Sequence, residues 1–356
     1  MKNKKTAVVA LTKNGKDLGL KLKNSIKKSE LFCLSKFKSN KENKEEINYF
    51  DSSLSKLTAD LFESYENIIY IMSLGIVVRI IAPYLENKKV DPAVITIDES
   101  GENVISTLSG HLGGANKLTK KVAKILKSNP IITTATDCQK KPAIDLLAQK
   151  MNCIIKPFSN LKFANAALVN NRELNIFSDY PLPLTEAENI NIYSLTKLND
   201  KFNEDAFPVV VSNKDYNFKR QYLQLIPVNI IVGVGCRRGV EQEKINRAVN
   251  MALHKLNLNK QSIKKLATID LKADEEGLLS YSKENNIDLE IIEREQIQKS
   301  NLTNISHSEF VKKTVGVPGV CEPAALLSSD NGKLVLTKNK FDKVTIALVE
   351  EEIKID

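Results

Sequence analysis

The chain has 356 residues, 42% of them hydrophobic, and 52 basic against 43 acidic side chains give it a formal charge of +9. That length suits two or three domains with ordinary cores, and no apolar run nears the roughly 18 residues of a membrane span. There is no tryptophan, aromatics are 6%, and the lysines lie along helices without interleaved aromatics, so the excess charge reads as a solvated surface and not as a nucleic-acid footprint.

The first eleven residues are basic and then apolar, too short in their apolar part for a signal segment. They read as a first strand over 6–11, which implies a cytoplasmic protein. A helix is expected over 17–27, a strand over 31–34, and a lysine-rich loop to about residue 48. A helix over 53–64, a strand over 67–72 and a helix from Gly75 to Tyr84 follow. Strands at 92–98 and 103–108 lead into the turn Ser109-Gly-His-Leu-Gly-Gly-Ala-Asn116. The next helix, over 117–126, sets Leu118, Val122, Ile125 and Leu126 on one face, and a strand over 130–135 closes this part. Repeated strand–helix units predict a largely parallel α/β sheet. Ligands gather at the carboxyl ends of such strands, and Ser73-Leu-Gly75 and Ser109-Gly-His111 are both assigned there.

From 138 to 227 the patterning weakens. Helices near Pro142 and over 161–169, and strands at 175–177 and 207–211, make a small α/β module. The last part opens with a buried strand, the turn Gly233-Val-Gly-Cys-Arg-Arg-Gly239 and a helix over 241–256. A short strand then ends in a loop with Asp270, Lys272 and Asp274, and Gly316-Val-Pro-Gly-Val-Cys-Glu-Pro-Ala-Ala325 turns into a helix. Strands at 333–337 and 344–348 finish the chain. The expected organisation is therefore an α/β protein of three parts: an N-terminal domain over 1–137, a middle module over 138–227 and a C-terminal domain over 228–356.

Three places carry candidate chemistry. In the first turn His111 has a reference pKa suited to acid–base work near neutrality. The N–H groups of Gly113 and Gly114 at the helix start could meet an anion, with Ser109, Gly110 and Asn116 as further substrate contacts. The alternatives are glycines that serve close packing and a histidine that caps the helix. In the second turn Arg238 stands where a dinucleotide fingerprint needs its third glycine. That rejects a standard nicotinamide site and leaves Gly235, Arg237 and Arg238 as an anion-binding turn, arginine being able to grip a carboxylate with two bonds. The alternative is a pair of exposed turn residues. Lys272 could join the arginines or merely pair with Asp270. Glu322, at a helix start, is either a second candidate base or a charge favoured by the helix dipole. The cysteines, Cys33, Cys138, Cys153, Cys236 and Cys321, form no C-x-x-C pair, so neither a zinc site nor a disulfide framework is indicated.

Seven motifs taken in order resemble one family: Gly75-Ile-Val-Val-Arg-Ile-Ile-Ala-Pro83, Asp91-Pro-Ala-Val94, Leu108-Ser-Gly-His-Leu-Gly-Gly-Ala-Asn116, Ile132-Thr-Thr-Ala-Thr-Asp137, Gly233-Val-Gly-Cys-Arg-Arg-Gly239, Thr268-Ile-Asp-Leu-Lys272 and Gly316 to Ala325. The chain is similar to the cobalt-precorrin-5A hydrolases, the CbiG family of anaerobic cobalamin biosynthesis. The resemblance is strong at both ends and weaker between about 137 and 229. Cys321 departs from it, standing where a small residue such as alanine is common. The resemblance implies opening of the δ-lactone of cobalt-precorrin-5A and release of acetaldehyde, giving cobalt-precorrin-5B. It also implies that cobalt arrives inside the substrate, with no cofactor or metal site of the protein's own. An anionic corrinoid would suit the basic balance, with Arg79, Arg237, Arg238 and Lys272 at its carboxylates and His111 or Glu322 as base. Neighbouring pathway enzymes are possible partners; nucleic acid and membrane are not expected. The competing functions are a non-catalytic escort for corrinoid intermediates and a tetrapyrrole methyltransferase.

Overall fold

The computed structural model describes residues 5–38, 47–88, 90–139, 141–184, 189–201, 205–300, 302, 305–306, 316–317 and 319–354. Most of the expected lysine-rich loop, at 39–46, and Pro318 of the Gly316 motif lie outside these residues. By contacts the chain divides into two units, Met1–Lys141 and Pro142–Asp356.

The first unit is a seven-stranded sheet in the order β3-β2-β1-β4-β5-β6-β7. Its strands are β1 (Thr6–Ala10), β2 (Ser29–Leu34), β3 (Ile47–Phe50), β4 (Asn67–Ile71), β5 (Ala93–Ile97), β6 (Asn103–Leu108) and β7 (Asn129–Ile131). The helices are α1 (Lys13–Ser25), α2 (Leu54–Ser64), α3 (Leu74–Ile81), α4 (Ala115–Leu126) and the single turn α5 (Ala135–Cys138). Alternation along each strand sends side chains to opposite faces. Val8 and Ala10, with Ile69, Ile71, Ile95 and Ile97, pack against Leu22 of α1 and Val122 of α4. Ala7 and Val9, with Ile68 and Tyr70, pack against Leu61 of α2 and Val77 of α3. Both faces are covered, which is why these strands are near-continuous apolar runs.

Strands β1 to β5 are mutually parallel, but β6 runs antiparallel to β5. The connection between them, residues 98–102, is five residues long, whereas a parallel crossover needs a dozen or more. The carboxyl end of β6 therefore lies at the edge where β5 begins, and Ser109 Oγ donates to the Asp91 carbonyl at 3.1 Å. Ser73-Leu-Gly75 lies at the opposite edge, where the Met72 N–H donates to Ile97 at the end of β5 (3.0 Å). This corrects the expectation that both motifs share the carboxyl edge of the parallel strands.

The second unit holds two sheets. One has the order β10-β9-β11-β12-β8, with β8 (Cys153–Lys156), β9 (Leu174–Ser178), β10 (Ile190–Tyr193), β11 (Phe207–Val211) and β12 (Leu223–Pro227), and carries α6 (Ile144–Lys150), α7 (Leu161–Val169) and the short α8 (Leu198–Lys201). The other has the order β15-β14-β13-β17-β16, with β13 (Ile230–Cys236), β14 (Ile263–Ile269), β15 (Asp288–Ile292), β16 (Lys333–Phe341) and β17 (Val344–Glu350). Its helices are α9 (Gln242–Lys255), α10 (Glu276–Asn285), α11 (Arg294–Lys299) and α12 (Cys321–Leu327). One carboxylate oxygen joins the two sheets. Glu350 Oε1 accepts from Tyr180 Oη at 2.6 Å, Asn213 Nδ2 at 3.0 Å and Asn229 Nδ2 at 3.3 Å. Burial, reinforced by Glu350, pushes the Tyr180 hydroxyl well above its ordinary value, so it remains a donor.

Candidate active site

The turn between β6 and α4 is assembled around Asn116, which is 6% exposed. Its N–H donates to the Gly110 carbonyl at 2.9 Å. Its side-chain oxygen accepts from Ser106 Oγ at 2.6 Å, and its Nδ2 donates to Thr134 Oγ1 at 2.9 Å and Asp137 Oδ2 at 2.8 Å. The glycines follow from this packing. A Cβ at Gly110 would lie 2.8 Å from Asn116 Oδ1, and one at Gly113 would lie 2.4 Å from Ser109 Cβ. Ser109 and Gly114 take positive φ, 56° and 89°, a conformation that glycine adopts without cost.

The turn also uses several of its own donors. Gly114 N–H donates to His111 O at 2.9 Å and Ala115 N–H to Ser109 O at 3.1 Å. Gly114 was expected to offer its N–H to an anion, and Asn116 and Ser109 were expected to contact substrate. Instead Gly114, Asn116 and Ser109 close the turn, because buried polar groups are satisfied internally. The Gly113 N–H has no acceptor among the described residues.

What the turn presents is His111. Its side chain is 10% exposed, and Nε2 lies 3.0 Å from Asp137 Oδ2, whose side chain is 19% exposed. Thr136 Oγ1 is 3.2 Å from the same nitrogen. Lys120 Nζ, on α4, donates to Asp137 Oδ1 at 3.0 Å. Burial alone would raise the Asp137 carboxyl, but the bonds from Lys120, His111 and Asn116 outweigh it and hold the group below the ordinary carboxylate value. A histidine paired with an ionised carboxylate is the arrangement that orients an imidazole for proton transfer. Asp137 was not singled out from sequence as a site residue, although it ends the motif 132–137. Arg79, in the same unit, is exposed on α3 and turns Nη1 back to the Gly75 carbonyl at 3.3 Å.

The remaining candidates lie in the second unit. Parallel β13, β14 and β15 bring the segments following them to one edge. There Arg238 grips Asp274 through both terminal nitrogens, Nη1 at 3.1 Å from Oδ1, and lies 3.7 Å from Glu275. Lys272 Nζ donates to Glu275 Oε1 at 2.9 Å, so its partner is Glu275 and not Asp270, which Arg294 holds. Glu275 is 4% exposed and also accepts from the Gly239 N–H at 2.9 Å. These cations already hold carboxylates of their own chain. Arg237 is exposed, and Asp342 feels its charge. Gly235 is a packing residue: a Cβ there would lie 2.5 Å from Thr345 Oγ1, and one at Gly233 would lie 1.9 Å from the Cys321 carbonyl.

Glu322 is 1% exposed. Its carboxylate accepts from the Ser306 N–H and hydroxyl at 2.5 and 3.0 Å and from the Lys338 N–H at 2.7 Å. These donors pin the segment at 306 and strand β16 to α12, so the expectation of a second base is replaced by a structural clamp. Cys321 is buried, and burial pushes its thiol up to about 11, as for a small core hydrophobe. Among the described residues, no three His, Cys, Asp or Glu side chains gather closely enough to hold a metal ion, and no helix is long and apolar enough to cross a membrane.

Comparison with known proteins matches three consecutive regions of one family: the cobalamin synthesis G N-terminal region at residues 56–137, the cobalamin biosynthesis central region at 142–227 and the cobalamin synthesis G C-terminus at 230–349. A cobalt-precorrin-5A hydrolase of Priestia megaterium is 36% identical over 96% of this chain and 94% of its own. Another, of Salmonella typhimurium, is 31% identical over 98% of each chain. A solved cobalamin biosynthesis protein G homologue from Sulfolobus solfataricus covers 98% of this chain and 97% of its own at 23% identity and a TM-score of 0.39. Matched in all three regions, and over nearly its whole length by relatives above 30% identity, the chain belongs to the cobalamin synthesis G (CbiG) family.

Proposed function

We propose that this protein is a cobalt-precorrin-5A hydrolase of cobalamin biosynthesis, with its reaction centre at the His111 turn. The observation that carries the placement is the His111–Asp137 pair, 3.0 Å apart and nearly buried, in a chain whose full-length relatives bear that enzyme name.

Lactone opening requires an activated water and a donor for the oxyanion. His111 takes a proton from water as the water oxygen bonds to the lactone carbonyl carbon and the carbonyl electron pair moves to oxygen. The Gly113 N–H, at the start of α4 and with no acceptor among the described residues, is the donor for that oxygen. Collapse of the adduct breaks the ring C–O bond, and His111 returns the proton to the departing alkoxide. Release of the two-carbon fragment follows. The new alcohol gives up its O–H proton, its bond to the macrocycle breaks with the electron pair passing to the ring, the ring takes up a proton, and acetaldehyde leaves. One water is consumed overall. Cobalt enters and leaves as part of the substrate, and the protein supplies no cofactor. The charge of +9 favours capture of a polycarboxylate in a cytoplasmic setting.

The test is to incubate the purified protein with cobalt-precorrin-5A and assay acetaldehyde and cobalt-precorrin-5B. Stoichiometric release of both is expected, with His111→Gln slowed about a hundredfold or more. Tight binding without acetaldehyde would make the protein an escort. Calorimetric binding of S-adenosylmethionine with methyl transfer would make it a methyltransferase.

A further inference from the structure

We propose that the crevice where β1 and β4 end is a second corrinoid site, at the opposite edge of the sheet from His111. Arg79 takes a carboxylate of the macrocycle there, and Leu74, Ile76 and Val78 of α3 pack against its apolar face. The inference rests on the reading of this chain as an enzyme of cobalt-precorrin-5A, and it adds where a corrinoid is held apart from the reacting group.

Topology places the crevice. β1 and β4 are parallel neighbours, but the chain leaves them in opposite directions. From β1 it passes through α1, on one face of the sheet, to β2; from β4 it passes through α3, on the other face, to β5. The two connections diverge beyond the carboxyl ends, and open α/β sheets take ligands at such switch points. The five residues of β4, about 16 Å long, separate this edge from that of His111.

The surface bordering the crevice is apolar with one cation. α3 buries Val77 and Ile81, yet Leu74 is 40%, Ile76 39% and Val78 51% exposed. Residues 73–85 include no acidic side chain and a single basic one, Arg79. Gly75 lies one helical turn before Arg79, on the same outward side. Its backbone is outside the left-handed region, and a Cβ there would meet only Arg79 Nη1, at an ordinary 3.5 Å. Neither conformation nor internal packing accounts for this glycine, whereas bare backbone allows the close approach of a ligand. Arg79 reaches over it, giving one donor to the Gly75 carbonyl at 3.3 Å and holding no carboxylate among the described residues. The carboxylates beyond β5 are engaged elsewhere: Glu99 accepts from the Thr12 hydroxyl, and Asp98 from the Ser100 hydroxyl and the Asn103 N–H, each at 2.7 Å. An exposed guanidinium among apolar side chains suits a ligand that joins carboxylates to an apolar ring face, which is the makeup of a corrinoid.

The probe is cobyrinic acid, a stable cobalt corrinoid with free carboxylates, titrated into the full chain and followed by its visible absorption. Ile76→Glu and Arg79→Gln, both at exposed positions, should each weaken binding about tenfold or more, and His111→Gln should not. The methyl ester of cobyrinic acid should bind wild type and Arg79→Gln alike and still lose affinity for Ile76→Glu. Wild-type affinity for cobyrinic acid in either crevice variant overturns the inference, as does an equal loss in His111→Gln, which would place the corrinoid at the other edge. Acetaldehyde release by the same wild-type preparation would then leave the hydrolase reading standing. A wild type that neither binds the corrinoid nor releases acetaldehyde overturns both. A wild-type dimer in sedimentation that Ile76→Glu splits would give this face to a second copy of the chain and overturn the inference.

Discussion

Two glycine turns in this chain look alike in sequence and do different things. Ser109 to Asn116 and Gly233 to Gly239 each stand at the end of a strand and lead to a helix, and each carries a residue suited to chemistry. In the first, the glycines make room for Asn116 and Ser109, and the turn delivers an imidazole to a carboxylate 26 residues further on. In the second, Gly233 and Gly235 make room for α12 and Thr345, and the arginine beyond them is occupied by carboxylates of its own chain. Glycine spacing alone does not mark a site. What the neighbouring side chains meet, and whether they are already satisfied, decides it.

The largest effect that would test this contrast is at Gly233. A Cβ there meets the Cys321 carbonyl at 1.9 Å, and neither strand nor helix backbone can yield cheaply. Gly233→Ala should cost about 3 kcal/mol or more, measured by chemical denaturation. A variant of wild-type stability would show that the second turn is not a packing device and reopen it as a binding loop.

Glu322 comes next. Gln in its place would lose the charge-assisted bonds and turn an amide N–H toward one of the Ser306 and Lys338 donors. Glu322→Gln should lower stability by about 1.5–3 kcal/mol, while its turnover at a temperature where it remains folded stays close to wild type. His111→Gln should show the reverse, slow turnover with little loss of stability. If Glu322→Gln melts normally but is inactive, the base lies in the second unit and the contrast between the turns is inverted.

Much of the architecture is legible in the sequence. The strand over 103–108 and the helix over 161–169 coincide with β6 and α7, and the βα rhythm of the first unit follows from apolar runs separated by amphipathic helices. What escapes has identifiable causes. β3 lies directly after the lysine-rich stretch, whose polarity masks a four-residue strand. β8 and β10 are four residues long, with too few alternations to register. The antiparallel turn between β5 and β6 could have been found from its five-residue connection. At the site, His111 stands out by its glycine context. Asp137 does not, because its bond to His111 spans 26 residues and no local period reports a tertiary contact. The roles of Arg238 and Glu322 depend on Asp274, Ser306 and Lys338, partners that only folding brings near, whereas Lys272 meets Glu275 only three residues on.

A pH experiment sharpens the same comparison at smaller amplitude. Burial would raise the Glu275 carboxyl, but Lys272, the Gly239 N–H and Arg238 prevail and hold it below its ordinary value. A carboxyl depressed in the folded state lends stability that is complete above its unfolded value of about 4.3 and is lost as pH falls through the lower folded value. Glu275→Gln should therefore melt below the wild type near neutrality and approach it in acid. Parallel melting curves from pH 7 to pH 3 would mean that Glu275 is not the internal counterion of the second turn.

The smallest effect expected is at Arg238. Its charge is already balanced by Asp274 in a bidentate pair and by nearby Glu275, yet its side chain is 69% exposed. Exposed ion pairs add little to stability because water solvates each partner nearly as well as the pair does. Arg238→Ala leaves Asp274 in solvent and leaves Glu275 with Lys272 and the Gly239 N–H, so the melting temperature should barely move. If the pair is simply a surface pair, KM for cobalt-precorrin-5A should also stay close to wild type, in contrast to the catalytic loss at His111. A clear rise in KM at constant kcat, weakening as salt is added, would show that the substrate displaces Asp274 and is gripped by the guanidinium. The second turn would then be a binding element, and the difference between the two turns would be one between holding the substrate and reacting with it.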